Sequence, residues 1–566
     1  MKKVILLALL VPLQAAGQNT FKPGDIIITE IMADPDPAAG LPGKEYLEIH
    51  NRSGDTVNLM SWVLSDGNSR AVFPRRELLP GEYAIVCQQQ DTSLFIRYGL
   101  TIGLKSFPAL TNSGKLLFLS DNKGKVIHGL EYSAEWYDDV LREDGGWSLE
   151  IIDEDNPFYE EGNWRASRAS DGGTPGKKNS VTTFNPDSYF GGFDNVFPAD
   201  SVTISLRFTE SLLSFNDIGE FLVIEGYSID SISYIDPLAR SWIAKLSEPL
   251  APGKVLTISA GDGLTDFAGN LMERNEFSFG LPFPVEPGGI LFNELLFNPF
   301  PGEPDYIEFY NRSGKVADAS SLIIVSVNDE TADTSSAVTV SEIPWCILPG
   351  CCYAITTGRK SVIGRYYSSS PLHLLEVGHL PSMPDDKGHL ILFSRKLKKI
   401  DEVFYDEKMH SSILGGSEGI SLEKVREDGN SADRSLWHSA SEAAGWGTPG
   451  APNSVLVEAA AEGDAVGLST EMITPDNDGI DDILIIDLKL EGLANIVNVT
   501  VFDETGRFVK KIADNIFAGQ GAMVVWNGTA ADEKPVETGI YIFLITVFDD
   551  KGKTRRWKKV CTLLRE

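Results

Sequence analysis

Short apolar runs divided by turn residues recur along all 566 positions of the chain. Tyr46, Glu48 and His50 alternate with Leu47 and Ile49, a period of two that predicts a strand rather than a helix. Val202 to Phe208, Val255 to Ser259, Ile496 to Phe502 and Ile540 to Phe548 predict further strands. Ser-Gly-Asp, Leu-Pro-Gly and Ser-Asp-Asn-Lys-Gly stand between the runs as turn signals. No stretch carries the spacing of a long amphipathic helix. The pattern predicts an all-β chain of tandem β-sandwiches, and at roughly 100–200 residues per domain it holds about three to five of them.

The blocks repeat. Ile28-Thr29-Glu30-Ile31-Met32 returns as Leu291-Phe292-Asn293-Glu294-Leu295, and Tyr46-Leu47-Glu48-Ile49 as Tyr306-Ile307-Glu308-Phe309. Asn-Arg-Ser-Gly follows each, at 51–54 and 311–314. Leu79-Pro80-Gly81 matches Leu348-Pro349-Gly350, and Gly114 to Leu117 matches Gly388 to Ile391. Leu149-Glu150 matches Leu422-Glu423, and Trp164 matches Trp437. Both repeats close on Gly-Thr-Pro-Gly, at 173–176 and 447–450, and then Asn-Ser-Val, at 179–181 and 453–455. The blocks keep one order while their offset drifts in steps, as insertions in surface loops make it drift. One module of about 150 residues has been used twice.

Charge narrows the partners. The formal net charge is −32, which excludes duplex nucleic acid, where Lys and Arg must neutralise phosphates. It also disfavours docking of the whole chain on an anionic membrane. Lys2-Lys3, the apolar run Val4 to Leu13 and the small residues Ala15-Ala16-Gly17 predict a cleaved secretory signal over 1–17. No run reaches the ~20 apolar residues of a membrane-spanning helix. Five cysteines, Cys87, Cys346, Cys351, Cys352 and Cys561, cannot all pair within the chain. Cys346 can pair with Cys351 or Cys352, but the five do not make a disulfide framework.

The repeat resembles a known family. A strand of the form x-x-Glu-[Ile/Leu], [Asp/Glu]-Tyr-[Ile/Leu]-Glu-[Ile/Phe], Asn-x-Ser-Gly and Leu-Pro-Gly, with Leu59 to Asp66 in the first repeat, resembles the lamin tail domain. That resemblance implies an Ig-like β-sandwich over 25–181 and a second over 288–455, with a binding or adhesive role and no catalytic residues. Trp62 and Asp66 have no clear partner near Ser320 to Asn328 in the second repeat. Residues 184–283, with Arg207-Phe208-Thr209-Glu210 and Asp266-Phe267-Ala268-Gly269-Asn270, resemble the Ig-like modules of bacterial surface-layer and adhesin-type proteins. Ala459 to Asp464 reads as a small, polar linker. Residues 464–566 resemble the gliding-motility-associated type B sorting domain of Bacteroidetes, through Ile473 to Asp482, Trp526-Asn527-Gly528, Thr538 to Tyr541 and Lys559 to Arg565. That resemblance implies handling by the type IX secretion machinery and a secreted or outer cell-surface location.

Little bond chemistry is written in the chain. Asp476, Asp478, Asp481 and Asp482 surround Gly479 at alternating positions, which suits either Ca²⁺ or a solvated Asx-rich turn. Glu30 with Glu48, echoed by Glu294 with Glu308, can be read as a structural cross-strand pair, a cation clamp or the acid and base of a glycoside hydrolase. Seven scattered histidines form no metal motif, and no nucleophile elbow or phosphate-binding loop is present. Trp62, Trp136, Trp147 and Trp164 serve either as core or as a stacking surface for sugars. The expectation is a non-catalytic surface protein that binds an unidentified glycan or protein. The alternatives are a polysaccharide-binding accessory protein of a degradative or gliding apparatus, and a hydrolase built on Glu30 and Glu48.

Overall fold

The computed structural model describes residues 21–565 apart from 161, 216, 329–330, 332, 336, 412–413, 457–464, 491–493 and 550–552. The signal read over 1–17 and the linker Ala459 to Asp464 lie outside the described residues. The fold is all-β and Ig-like: 42% strand, 7% helix and no barrel. The longest helix among the described residues has seven residues, Arg359–Arg365. The chain forms two compact units. One holds the residues up to Asn195 with Thr203–Glu248 and Ile258–Phe277; the other holds Val196–Val202, Pro249–Thr257 and Ser278–Glu566.

In the first unit a six-stranded sheet runs Trp164–Ala166, Leu149–Ile151, Ile26–Met32, Tyr46–Asn51, Tyr83–Gln88, Leu100–Leu104. A four-stranded sheet runs Val126–Ser133, Gly114–Ser120, Val63–Ser65, Arg70–Val72. Their inner faces meet in one apolar core that includes Ile28, Leu47, Trp62, Leu117 and Ile127. Burying side chains of this kind contributes roughly 1.5–3 kcal/mol each, which is what lets the sandwich stand without disulfides. All five cysteines are free, so Cys346 pairs with neither Cys351 nor Cys352.

The second unit repeats this order. Its six-stranded sheet runs Trp437–Ser439, Leu422–Lys424, Ile290–Leu296, Tyr306–Asn311, Cys352–Thr356, Leu374–Glu376. Its four-stranded sheet runs Lys399–Asp406, Lys387–Ser394, Leu322–Ser326, Val338–Thr339. Even an irregularity is shared. The pairing of the two central strands slips between Ile28 and Glu30 in one repeat and between Phe292 and Glu294 in the other. Such a bulge inserts one residue and reverses which face the following side chains reach. Here it sets Glu30 opposite Glu48 and Glu294 opposite Glu308, away from the core.

The residues between the repeats pair Thr203–Phe208 and Ile229–Tyr234 with Ser241–Leu246 in a five-stranded sheet; Leu222–Ile224 pairs with Leu256–Ala260 in a separate sheet. The C-terminal residues form a sandwich of their own. Three strands, Val466–Leu468, Leu484–Lys489 and Gly521–Trp526, face five: Met472–Ile473, Thr554–Leu563, Gly539–Asp549, Asn495–Asp503 and Phe508–Ala518. Trp526, Phe543 and Ile545 centre its core. All four strands named from the pattern outside the repeats are present.

Candidate functional site

The repeated residues converge on one place in each module: the outer face of the six-stranded sheet. Three carboxylates stand side by side there. Glu30 pairs in register with Glu48 on one side and Glu150 on the other. Glu294 likewise lies between Glu308 and Glu423. All six are fully buried.

What buries them is the chain segment that closes each repeat. Glu30 accepts hydrogen bonds from the Thr174 backbone N–H at 2.7 Å, the Tyr46 hydroxyl at 2.7 Å and the Ser148 hydroxyl at 2.6 Å. Glu48 accepts from the Gly176 N–H at 2.6 Å, and Glu150 from the Thr174 and Ser180 hydroxyls, each at 2.7 Å. The second repeat matches bond for bond. Glu294 takes the Thr448 N–H at 2.9 Å, Glu308 the Gly450 N–H at 2.6 Å, and Glu423 the Thr448 and Ser454 hydroxyls at 2.9 and 2.8 Å. Asn179 and Asn453 then donate to backbone carbonyls of the strands beneath.

This explains the spelling of Gly-Thr-Pro-Gly. A Cβ on Gly173 would lie 2.6 Å from Glu30 Oε1, so no larger residue fits. Gly176 and Gly450 adopt φ of 82° and 79°, the left-handed region that favours glycine. Asn-Arg-Ser-Gly is equally structural: the Asn51 amide donates to Asp55 O and Leu78 O, and Asn311 makes the same pair to Lys315 O and Ile347 O.

Burial, then the neighbouring carboxylate Glu150, pushes Glu30 up to about 7; burial, then Glu294, pushes Glu423 up to about 8. Glu48, Glu294 and Glu308 are raised as well, above all by burial. A carboxyl that titrates higher when folded than when unfolded keeps protons that the unfolded chain has released. The stability it gives is therefore full below about pH 4.5, and it falls as pH rises toward the folded value. For Glu30 alone the loss is about 3 kcal/mol. Thermal unfolding is expected several degrees higher at pH 6.5 than at pH 8.5, a window above the range in which the buried His128, His373 and His410 favour the protonated unfolded chain. Glu30→Gln with Glu423→Gln is expected to flatten that difference, and a melting temperature that climbs across this range would contradict the account.

The other candidates separate. Trp62 is core, and Trp136 and Trp147 pack against that core. Trp136 stacks on the buried Trp164 with ring centroids 5.9 Å apart. Asp66 is ion-paired with Lys115 at 2.6 Å and accepts the N–H groups of Asn68 and Ser69. Burial works to raise its carboxyl, but Lys115 and Ser69 hold it well below the usual range. Leu322 pairs with Ser394 as Val63 pairs with Ser120, so Val325 stands where Asp66 would be and His389 where Lys115 would be. The pair missing from the second repeat is thus a local turn lock.

Asp476, Asp478 and Asp482 gather, and Asp481, at a φ of 54°, is not part of the group. The Asp482 carboxylate already accepts the N–H groups of Asp476, Asn477 and Gly479. Asp187, Glu210 and Asp266, too far apart along the chain to form a motif, make a second acidic group. Burial, then the two aspartates, pushes Glu210 up to about 8, and the Asp266 oxygens are bonded to Asn270 at 2.7 and 2.8 Å. A cavity of about 870 Å³ in the second unit touches Trp437 and Trp526, whose indole N–H groups are committed to Ser431 O and Thr529 O.

Residues 19–134 match the Lamin Tail Domain family, and residues 468–560 match the CHU_C Type IX secretion signal domain. No curated protein is similar in sequence. Among solved structures, CopC from Methylosinus trichosporium OB3b is 15% identical, covering 14% of this chain and 76% of that one, with a TM-score of 0.12. A Ca²⁺-stabilized adhesin of an Antarctic bacterium that binds ice is 9% identical, covering 97% and 100%, at 0.11. The mixed-linkage glucan protein SGBP-B of Bacteroides ovatus is 9% identical, covering 87% and 92%, at 0.16. None of these overlays reaches the level of a shared overall fold.

Proposed function

We propose that this chain is an exported surface protein that works by recognition. In this reading 25–181 and 288–455 are two lamin-tail-like binding modules, 184–283 an Ig-like spacer and 464–566 the export domain, after cleavage of a signal at 1–17. The observation that carries it is the secretion-signal match over 468–560, on a chain whose other sandwiches spend their shared polar residues on their own framework. Identical strand order, bulge and carboxylate network support the second lamin-tail assignment. Deleting 464–566 and fractionating the producing cells tests it: loss of the protein from the surface and medium is expected, and unchanged appearance there refutes it.

Recognition then belongs to loops and faces that differ between the repeats, since what they share is framework. A hydrolase needs a carboxylate pair open to substrate, and Glu30 and Glu48 are sealed beneath their own chain. The sugar-binding reading gains nothing from Trp62 or Trp164, which are core. A screen of the purified chain against glycans and extracellular matrix proteins distinguishes the ligand classes.

For the aspartate loop the reading with support is a docking turn. Asn477 donates to Ala440 O at 2.8 Å, and the Ser441 hydroxyl donates to Asp478 O, so the loop is seated on the preceding module. Millimolar Ca²⁺ is expected to leave the melting temperature unchanged; a rise of several degrees that Asp482→Asn abolishes would restore the calcium reading.

A further inference from the structure

The C-terminal sandwich has two outer faces, and both are apolar. One is accounted for. Ile483 and Ile485 are buried with Val425, Leu436 and Val455 of the preceding module, and Met523 and Val525 pack against them. Arg426 and Asp487 approach to 3.6 Å at the edge of this seam. The apolar outward positions of the three-stranded sheet are thus explained by what covers them.

Among the described residues, the outer face of the five-stranded sheet has no such cover. Strand register places its side chains in rows. Phe517, Ile496 and Phe548 form one row across three strands, and all three are exposed, Phe517 at 74%. Phe508, Phe502, Ile542 and Val560 form another across four strands, with Phe508 at 59%. Between them Leu544 lies beside Lys558, and Thr546 beside Arg556. Ile540 and Met472, both exposed, lie at the far end, opposite Thr562. The residues in these rows are apolar, neutral or cationic. Thr500 and Lys511 continue the row of Leu544, and Asn498 that of Thr546, so the face is two apolar rows with a polar and cationic band between them. Monomeric proteins seldom leave such apolar rows in water without a partner for them. In a chain of net charge −32 the strand Thr554–Leu563 carries no acid, and it adds Arg556 and Lys558 to this face.

We propose that this face docks a protein of the type IX export machinery, one presenting an apolar patch edged by carboxylates. The proposal rests on the export reading above and names the surface through which it acts. The face lies within the residues matched to the secretion signal domain. Its cations call for an acidic rim on the partner. A second copy docked face to face about a two-fold axis would set Arg556 and Lys558 against their own kind, which disfavours self-pairing.

The test uses the full chain in producing cells. Leu544→Ser with Phe548→Ser removes apolar surface, and Arg556→Glu with Lys558→Glu reverses the charge. Both pairs sit at outward positions, and the melting temperature of each purified variant reports whether it folds. A tenfold or greater fall in the exported fraction for either folded variant, matching deletion of 464–566, is the expected result. Normal export of both variants while the deletion is retained overturns the face and leaves the export reading standing. Normal export of the deletion overturns both. Two further outcomes reassign the face. Flotation of the wild-type chain with phosphatidylglycerol vesicles, lost in the charge reversal, gives it to anionic lipid. A dimer in sedimentation, dissolved by the serine pair, gives it to a second copy. Either one overturns the proposal.

Discussion

Glu30→Ala is expected to lower the stability of the first module by about 3–5 kcal/mol, and Glu294→Ala to do the same to the second. Each removal takes an acceptor from three donors: the Tyr46 hydroxyl, the Ser148 hydroxyl and the Thr174 N–H in one case, and Tyr306, Ser421 and Thr448 in the other. The Ser148 hydroxyl keeps a second acceptor, Gly172 O at 3.3 Å. Each of these groups is buried, so water cannot replace the lost acceptor without opening the structure. A buried donor left unpaired costs about 1–3 kcal/mol. Relief of the crowding among three carboxylates returns part of that sum. Glu30→Gln keeps the acceptor oxygen and is expected to cost far less. Calorimetry of the full chain is the check, because Glu30→Ala and Glu294→Ala should each depress a different transition. If neither transition moves by 2 °C, the closing segment is held by its apolar contacts and the carboxylates are incidental.

This network shows what can and cannot be read along the chain. Apart from Ser148 and Ser421, every member sits in a repeated block: the two central strands with their glutamates and tyrosine, Leu-Glu, Gly-Thr-Pro-Gly and Asn-Ser-Val. Repetition alone revealed that they matter. Their mutual contact was hidden, because Glu30 and Thr174 are 144 positions apart and a bulge reverses the face that strict alternation assigns to Glu30. Alternation also predicts that Tyr46 and Glu48 face water opposite a core of Leu47 and Ile49. In fact all four are buried, since the closing segment covers the outer face and period-two patterning cannot show a second layer. The aspartate loop is ambiguous along the chain for a different reason. Alternating carboxylates look alike whether they await a cation or cap backbone N–H groups, and only the position of the backbone distinguishes the two.

The same reasoning applies to the seam between the second repeat and the C-terminal sandwich, where Ile485→Asp is expected to separate the two. Ile485 is fully buried and its neighbours there, Val425, Leu436 and Val455, are apolar, so an aspartate at this place must either be protonated or pull the seam open to water. An unpaired charge in such surroundings costs several kcal/mol, more than one part-buried ion pair such as Arg426 with Asp487 recovers. The sandwich core around Trp526 and Phe543 lies on the other side of that sheet and is not altered by the substitution. The outcome expected is therefore two folded bodies no longer held together. Limited proteolysis should cut between Val455 and Val466 at least tenfold faster than in the wild type and yield a stable C-terminal fragment. Ile485→Val, which keeps the apolar contact, should cut at the wild-type rate. Equal resistance of the aspartate variant would mean that Asn477 and Ser441, through their hydrogen bonds across the junction, hold the modules without the apolar seam.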